Sequence, residues 1–280
     1  MKNILIFNDM SPETEHATEL ALLLAGTTNV RLYIWNTINK AEKPIAEAMI
    51  AAGTNKTLIK VPVNKNSWIE ELESKVHLQT GLKTNVTFVN DVDFAAVNVL
   101  SVVKRFNIGL LIKGIAENED HISYIGRDAL SCSTKSGCPI LLAPEKFPCK
   151  AFERIVYATD LRFCRRDVIL FLSKLTMNLN ASILVANIAA NGLPYMEDNY
   201  ALDVFNDMIA HSARASNEHF YFNNIRERNI RKAIDVLVND MHTDLLVLTN
   251  HRYHFNELLG ASIPYILPGY IQIPVMIFPS

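Results

Sequence analysis

The sequence predicts an α/β protein built as two tandem copies of one unit, each a doubly wound, mainly parallel sheet with helices on both faces. Three observations carry this. The run Ile4-Leu5-Ile6-Phe7-Asn8-Asp9 matches Ile155-Val156-Tyr157-Ala158-Thr159-Asp160 at an offset of 151 residues, each an apolar stretch closed by a polar residue and an aspartate. Ala95, Val99, Val102, Val103 and Phe106 match Ile230, Ile234, Leu237, Val238 and Met241 at an offset of 135. At that same offset Pro139-Ile140-Leu141-Leu142-Ala143-Pro144 falls on Pro274-Val275-Met276-Ile277-Phe278-Pro279, with both prolines in register. A repeat of this length defines the architecture before any single motif does.

Each element follows from its spacing. The opening apolar run of each half reads as a buried strand. Ala17, Leu20 and Leu24 share one helical face, and the first offset carries them onto Val168, Phe171 and Leu175. Val30, Leu32 and Ile34 are spaced by two, the mark of a strand with one buried face, and they fall on Ala181, Ile183 and Val185. The drop in offset from 151 to 135 places a net loss of 16 residues in the second half, opposite the irregular stretch 40–75. The second matched set follows i, i+4, i+7, i+8, i+11, an apolar helical stripe. Leu110-Leu111-Ile112 and Leu245-Leu246-Val247-Leu248 come next as strands, and the proline-bounded segments close each half. Alternating strands and helices imply parallel strands joined by right-handed crossovers. The linker is expected at 145–152, which holds Pro148 and Cys149, giving domains at 1–147 and 151–280.

Composition narrows the function. The chain has 280 residues, 49% hydrophobic and 20% charged, as expected for two globular domains. A net charge of -2 gives no general attraction for nucleic acid or anionic lipid. The N-terminal apolar run is too short for a signal peptide or a membrane helix, and no apolar run of spanning length occurs elsewhere, so a cytoplasmic protein is expected. None of the four cysteines, Cys132, Cys138, Cys149 and Cys164, sits in a CxxC pair; they read as small packing residues.

These residues resemble a known family. The strand, the Asn8-Asp9-Met10-Ser11-Pro12 turn, the helix and the second strand look like the opening of a universal stress protein, where "TDFSP" or a near variant follows the first strand. Ala158-Thr159-Asp160 repeats the feature. Asp244-Leu245-Leu246-Val247-Leu248 looks like the family's fourth strand, and the closing Pro-aliphatic-Pro segments look like its fifth. The resemblance implies five strands in the order 3-2-1-4-5 in each half. It also implies pairing through the fifth strands, either as an intramolecular pseudo-dimer or as a homodimer. In many members ATP binds where strands one and four diverge, under the signature G-x2-G-x9-G-[ST], and an aspartate after strand one contacts the adenine or ribose.

Neither half keeps that signature. In the first it begins at Gly114, but Glu117 stands for the second glycine, and Gly126 arrives one residue early with Arg127 behind it. Glu117, Glu119 and Asp120 would oppose a polyphosphate, at about 1 kcal/mol each in bulk water and more if desolvated. Lys113, Arg127 or His121 offset part of this if they point inward. In the second half Thr249 and Arg252 replace the first two glycines, and Gly260 survives, followed by Ala261 and Ser262. The loop 250–254 is basic, but bulky side chains stand where a backbone should approach phosphates. The candidate site residues are therefore Asp9, Gly114, Gly126, Arg127, Asp160, Thr249 and Gly260, as a vestigial nucleotide site. For the two aspartates a structural role is open as well: an Asp at a strand end organises the βα turn or caps a helix. The glycines read equally as turn residues.

Other clusters read as ordinary surface. His251 and His254 lack a companion ligand pattern for a metal. Arg162, Arg165 and Arg166 read as a charged helix start, and Arg226, Arg228, Arg231 and Lys232 as the wet face of the helix ending near Met241. No G-x-S-x-G elbow, P-loop or G-x-G-x-x-G is present, so no catalytic role is expected. The expectation is a stress-response or regulatory module that needs no cofactor, with a protein partner and no nucleic-acid or membrane partner. The alternative is a regulator binding ATP or AMP in one half; a third reading, which rests on fold analogy alone, is an ATP hydrolase.

Overall fold

The computed structural model describes residues 2–37, 65–89, 98–116, 126–212, 219–250 and 268–280. Among the described residues ten strands form one sheet in the order β3-β2-β1-β4-β5-β10-β9-β6-β7-β8. The first half contributes β1 (Asn3–Asn8), β2 (Leu32–Asn36), β3 (Val86–Val89), β4 (Ile108–Ile115) and β5 (Ile140–Pro144). The second contributes β6 (Arg154–Thr159), β7 (Ser182–Ile188), β8 (Phe220–Ile225), β9 (Leu245–Thr249) and β10 (Val275–Phe278). Each half thus runs 3-2-1-4-5, all parallel, as the sequence leads one to expect. One neighbouring pair is antiparallel: β10 lies against β5, with Val275 opposite Leu142, Met276 opposite Leu141 and Ile277 opposite Ile140.

Seven α-helices cover the sheet among the described residues: α1 (Pro12–Thr28), α2 (Lys65–Thr80), α3 (Val99–Arg105), α4 (Gly126–Ser136), α5 (Arg166–Leu179), α6 (Asp198–Ser212) and α7 (Ile230–Asp235), the last continuing as a π turn over Val236–Asp240. One core layer joins α1, α2, α5 and α6 to one sheet face across both halves. The other joins α3, α4 and α7 to the opposite face. Strands buried on both faces explain the unbroken apolar runs of β1, β4 and β9. The apolar stripes settle as expected: Val99, Val102 and Val103 are buried, as are Ile230, Ile234, Leu237 and Val238. Met241, past the π turn, is exposed, and Ala95 lies outside the described residues.

The first helices of the two halves differ. In α1 the continuous stretch from Ala17 to Ala25 is buried. The helix packs on β1, β4 and β5 and is flanked by α2 on one side and α5 on the other. Its sequence LALLLA has no polar face to give to water. In contrast, α5 is amphipathic, burying Val168, Ile169, Leu172, Leu175 and Leu179 while Lys174 and Met177 face outward. The net shortening of the second half is localised: the third strands, β3 and β8, start at Val86 and Phe220, an offset of 134, so the loss falls between the second and third strands.

The connection between halves is held at both ends. Phe147 and Phe152 are buried with ring centroids 6.3 Å apart. Asp244 accepts backbone N–H bonds from Glu153 and Arg154, each at 3.0 Å, and pairs with Lys150 Nζ at 2.6 Å. None of the four cysteines forms a disulfide, and no described helix is long and apolar enough to cross a membrane.

Because both core layers run through the β5–β10 seam, damage there should be felt by the whole chain. Leu141→Ala, opposite Met276, is expected to lower unfolding free energy by about 2–5 kcal/mol. In urea, fluorescence and circular dichroism should report one shifted transition; a first transition confined to residues of one half would contradict this continuity.

Candidate functional site

The candidate site of each half lies at the carboxyl end of its first and fourth strands, where the sheet order reverses direction. In the first half β1 ends in Asn8 and Asp9. Met10 follows with φ 61°, turning the chain into α1. Asn8 Oδ1 accepts from Met10 N at 3.0 Å, and its amide donates to Asn36 Oδ1 at 2.9 Å, tying the turn to β2. Ser11 is the N-cap of α1, its hydroxyl accepting from Thr14 N, with Pro12 next in the first turn.

Asp9 is buried and fully engaged. Its Oδ1 accepts from Ser11 N at 3.2 Å, Ser11 Oγ at 2.6 Å and Thr14 Oγ1. Its Oδ2 receives Lys113 Nζ at 2.6 Å, and the two side chains are only 6% and 4% exposed. Burial pushes the Asp9 carboxyl up, but the Lys113 charge and the bonds from Lys113, Ser11 and Thr14 outweigh it and hold the group far below the usual carboxylate range. Glu13 stands beside this pair. Burial raises its carboxyl, and the Asp9 charge raises it further against Lys113. The two acids therefore act on stability in opposite senses. Asp9 contributes stability above the ordinary carboxylate range that is lost on acidification, whereas Glu13 relieves its burial cost as it takes up a proton.

Gly114 follows Lys113 inside β4 and is not a turn residue. A Cβ there would lie 2.2 Å from the Glu13 carbonyl oxygen and 2.8 Å from Thr14 N. The glycine lets the first turn of α1 rest directly on the strand, and that packing alone requires it. Gly126 and Arg127 lie in α4. Gly260, with His121, Arg252, His251 and His254, lies outside the described residues.

The second half solves the same problem with other residues. Asp160 is completely buried. It caps a 3-10 turn, Leu161–Phe163, by accepting from Arg162 N at 3.0 Å. The guanidinium of Arg162 grips it at 2.8 and 2.7 Å, and Ala190 N donates to Oδ2 at 2.9 Å. Burial again raises the carboxyl, and these donors, Arg162 first, bring it below its ordinary value. Arg162 thus balances Asp160 and is not a charged helix start, as the sequence suggested. Arg165 pairs with Asp167 and donates to the Pro279 carbonyl.

One substitution links these differences. Arg162 occupies the position of Ser11 at the offset of 151, so the second half has a counter-ion where the first has a helix cap. Its helix accordingly starts later, at Arg166, and lacks a side-chain cap. Thr249, the match of Gly114, then carries a side chain, and its hydroxyl meets Tyr157 OH at 3.1 Å. Lys113 itself matches Leu248, which supplies no charge.

Arg226 and Arg228 lie in the loop after β8 and not on α7. Arg226 pairs with Asp198 at the start of α6. This polar group extends across the strand ends: Leu161 N donates to Asn187 Oδ1, Asn187 to Asn224 Oδ1 at 2.7 Å, and Asn224 to Asp198 Oδ1 at 2.7 Å. Its bonded partners are separated by 26 to 37 residues, so spacing carries no sign of it. The Lys113 pairing did leave a sign, a lysine at the end of an apolar strand run. Among the described residues no group of three His, Cys, Asp or Glu side chains is placed to hold a metal.

Comparison with known proteins agrees with this geometry at the level of fold. No protein-family model matches the chain, and no curated protein is similar to it in sequence. Solved structures are similar over the full length. A universal stress protein from Archaeoglobus fulgidus DSM 4304 superposes with a TM-score of 0.60 at 12% identity, covering 99% of this chain and 98% of that one. A protein from Pseudomonas aeruginosa UCBPP-PA14 described as a universal stress protein gives 0.54 at 13% identity, covering 100% and 93%. A functionally unknown protein from Pseudomonas aeruginosa PAO1 gives 0.52 at 12%, covering 100% and 92%. The chain has the universal stress protein fold, in two tandem copies.

The close approach at Gly114 yields a direct test. Gly114→Ala must push α1 off β4 and is expected to cost at least about 1–3 kcal/mol. Thr249→Ala keeps its Cβ and loses one hydrogen bond, at about 1 kcal/mol. Chemical unfolding of both variants should rank them in that order; the reverse order would refute the packing explanation.

Proposed function

We propose that this chain is a cytoplasmic, tandem universal stress protein-like module with a stress-response or regulatory role, and that it does not bind ATP in the family's usual way. Residues 1–147 and 151–280 are its two domains, and antiparallel contact of their fifth strands makes the chain its own pseudo-dimer, leaving other surfaces for a protein partner. One observation carries the reading. Both aspartates that would meet a nucleotide have their oxygens occupied inside the chain, Asp9 by Lys113, Ser11 and Thr14 and Asp160 by Arg162 and Ala190 N. A nucleotide at the first site would have to displace buried Lys113, leaving the buried Asp9 carboxylate uncompensated at a cost of about 3–5 kcal/mol; at the second it would have to displace the more exposed guanidinium of Arg162 from the buried Asp160. Gly114 is also explained by packing alone, without a phosphate beside it.

The test is to denature purified protein, identify released small molecules by mass spectrometry, and titrate ATP, ADP and AMP by calorimetry. No co-purified nucleotide and no binding tighter than about 100 μM are expected, a threshold near −5.5 kcal/mol. Tighter binding, or a bound nucleotide recovered from the protein, would overturn the reading in favour of an adenine-nucleotide regulator.

A further inference from the structure

A cleft of about 720 Å³ opens in the second half between the loops that follow β7 and β8. That size falls in the range of small-molecule pockets, about 300–1,000 Å³. No residue of β6 or β9 lines it, so it is separate from the strand divergence described above. Its walls are fixed from outside the cleft. On one side Asp160 holds Ala190 N, and Arg162 donates to the Pro194 carbonyl at 3.0 Å. On the other, Asn224 donates to the Met196 carbonyl at 2.9 Å and to Asp198, which in turn holds Arg226 over the Tyr195 ring, 5.7 Å from its centroid. A site whose walls are held before the ligand arrives loses little freedom on binding.

The charges leave one cation over. Asp198 is taken by Arg226. Glu227 is taken by Lys232 at 3.3 Å and by Asn229 N at 3.0 Å. Arg228 is exposed at the rim and has no carboxylate partner among the described residues. Leu193 and Ile225 add apolar wall beside it. We infer that this cleft is a binding site for a small organic oxyanion. Arg228 grips its carboxylate or phosphate group through the planar guanidinium fork, and Leu193 and Ile225 cover an apolar body. Asp160 then has a second consequence: as a positioning residue, it sets the wall of the neighbouring cleft through Ala190 and Arg162. The inference stands whether or not a nucleotide binds between β6 and β9.

Amide spectra of the 15N-labelled full chain test it, with inorganic phosphate and benzoate as probes of the two oxyanion types. Saturable shifts at Gly192, Leu193 and Arg228 are expected with at least one probe. Arg228→Ala should weaken that binding at least about tenfold, as loss of a charge-assisted bond implies. Lys174→Ala, on the exposed side of α5, should leave it unchanged. The inference fails if neither probe gives saturable shifts at these amides, or if binding survives Arg228→Ala. Shifts centred on Lys113 and Gly114 instead would also defeat it.

Discussion

A carboxylate buried at the end of the first strand is costly unless a cation and hydrogen bonds balance it. Much of what distinguishes the two halves depends on how that balance is struck. The first half reaches across the sheet: Lys113 on β4 meets Asp9 after β1, and Ser11 remains free to cap α1. Because α1 can then start at once, its first turn lies on β4 and only glycine fits at 114. The second half reaches along the chain: Arg162, two residues on, grips Asp160. The cap position is spent on that cation, the helix begins at Arg166, and Thr249 has space for a side chain. One choice of counter-ion therefore accompanies three further differences in sequence and structure.

The seam between halves imposes a second constraint. Antiparallel contact of β5 and β10 removes two strand edges that would otherwise be open to pairing with other chains. It also brings α1 against α5 on one face, which is why the stretch Leu20–Ala25 of α1 can be apolar all round. A helix of that composition on an isolated half would present leucines to water. The tandem arrangement and the sequence of α1 are thus mutually dependent.

The repeat, the strand–helix alternation and the sheet order were legible because periodicity and matched offsets report directly on burial. The strand aspartates were legible as positions but not as roles, since Asp9 serves equally to order a turn or to meet a ligand until its partners are known. Lys113 could be noticed as a lysine ending an apolar run, yet its direction depends on β1 and β4 being neighbours 104 residues apart. From sequence Arg162 reads as a helix start because the delayed onset of α5 leaves no local signature. The network of Asn187, Asn224, Asp198 and Arg226 was invisible for the same reason: it is assembled by the ends of β7, β8 and α6, which only the fold brings together.

The central claim is that the charge at the strand divergence is satisfied from within, and the ionisation of Asp9 tests it most directly. Its side-chain carboxyl carbon can be followed by NMR as pH falls. The account predicts that Asp9 stays ionised down to the lowest pH at which the chain remains folded, and that Lys113→Met moves its titration upward. Ordinary titration near pH 3.9, unchanged by Lys113→Met, would contradict it.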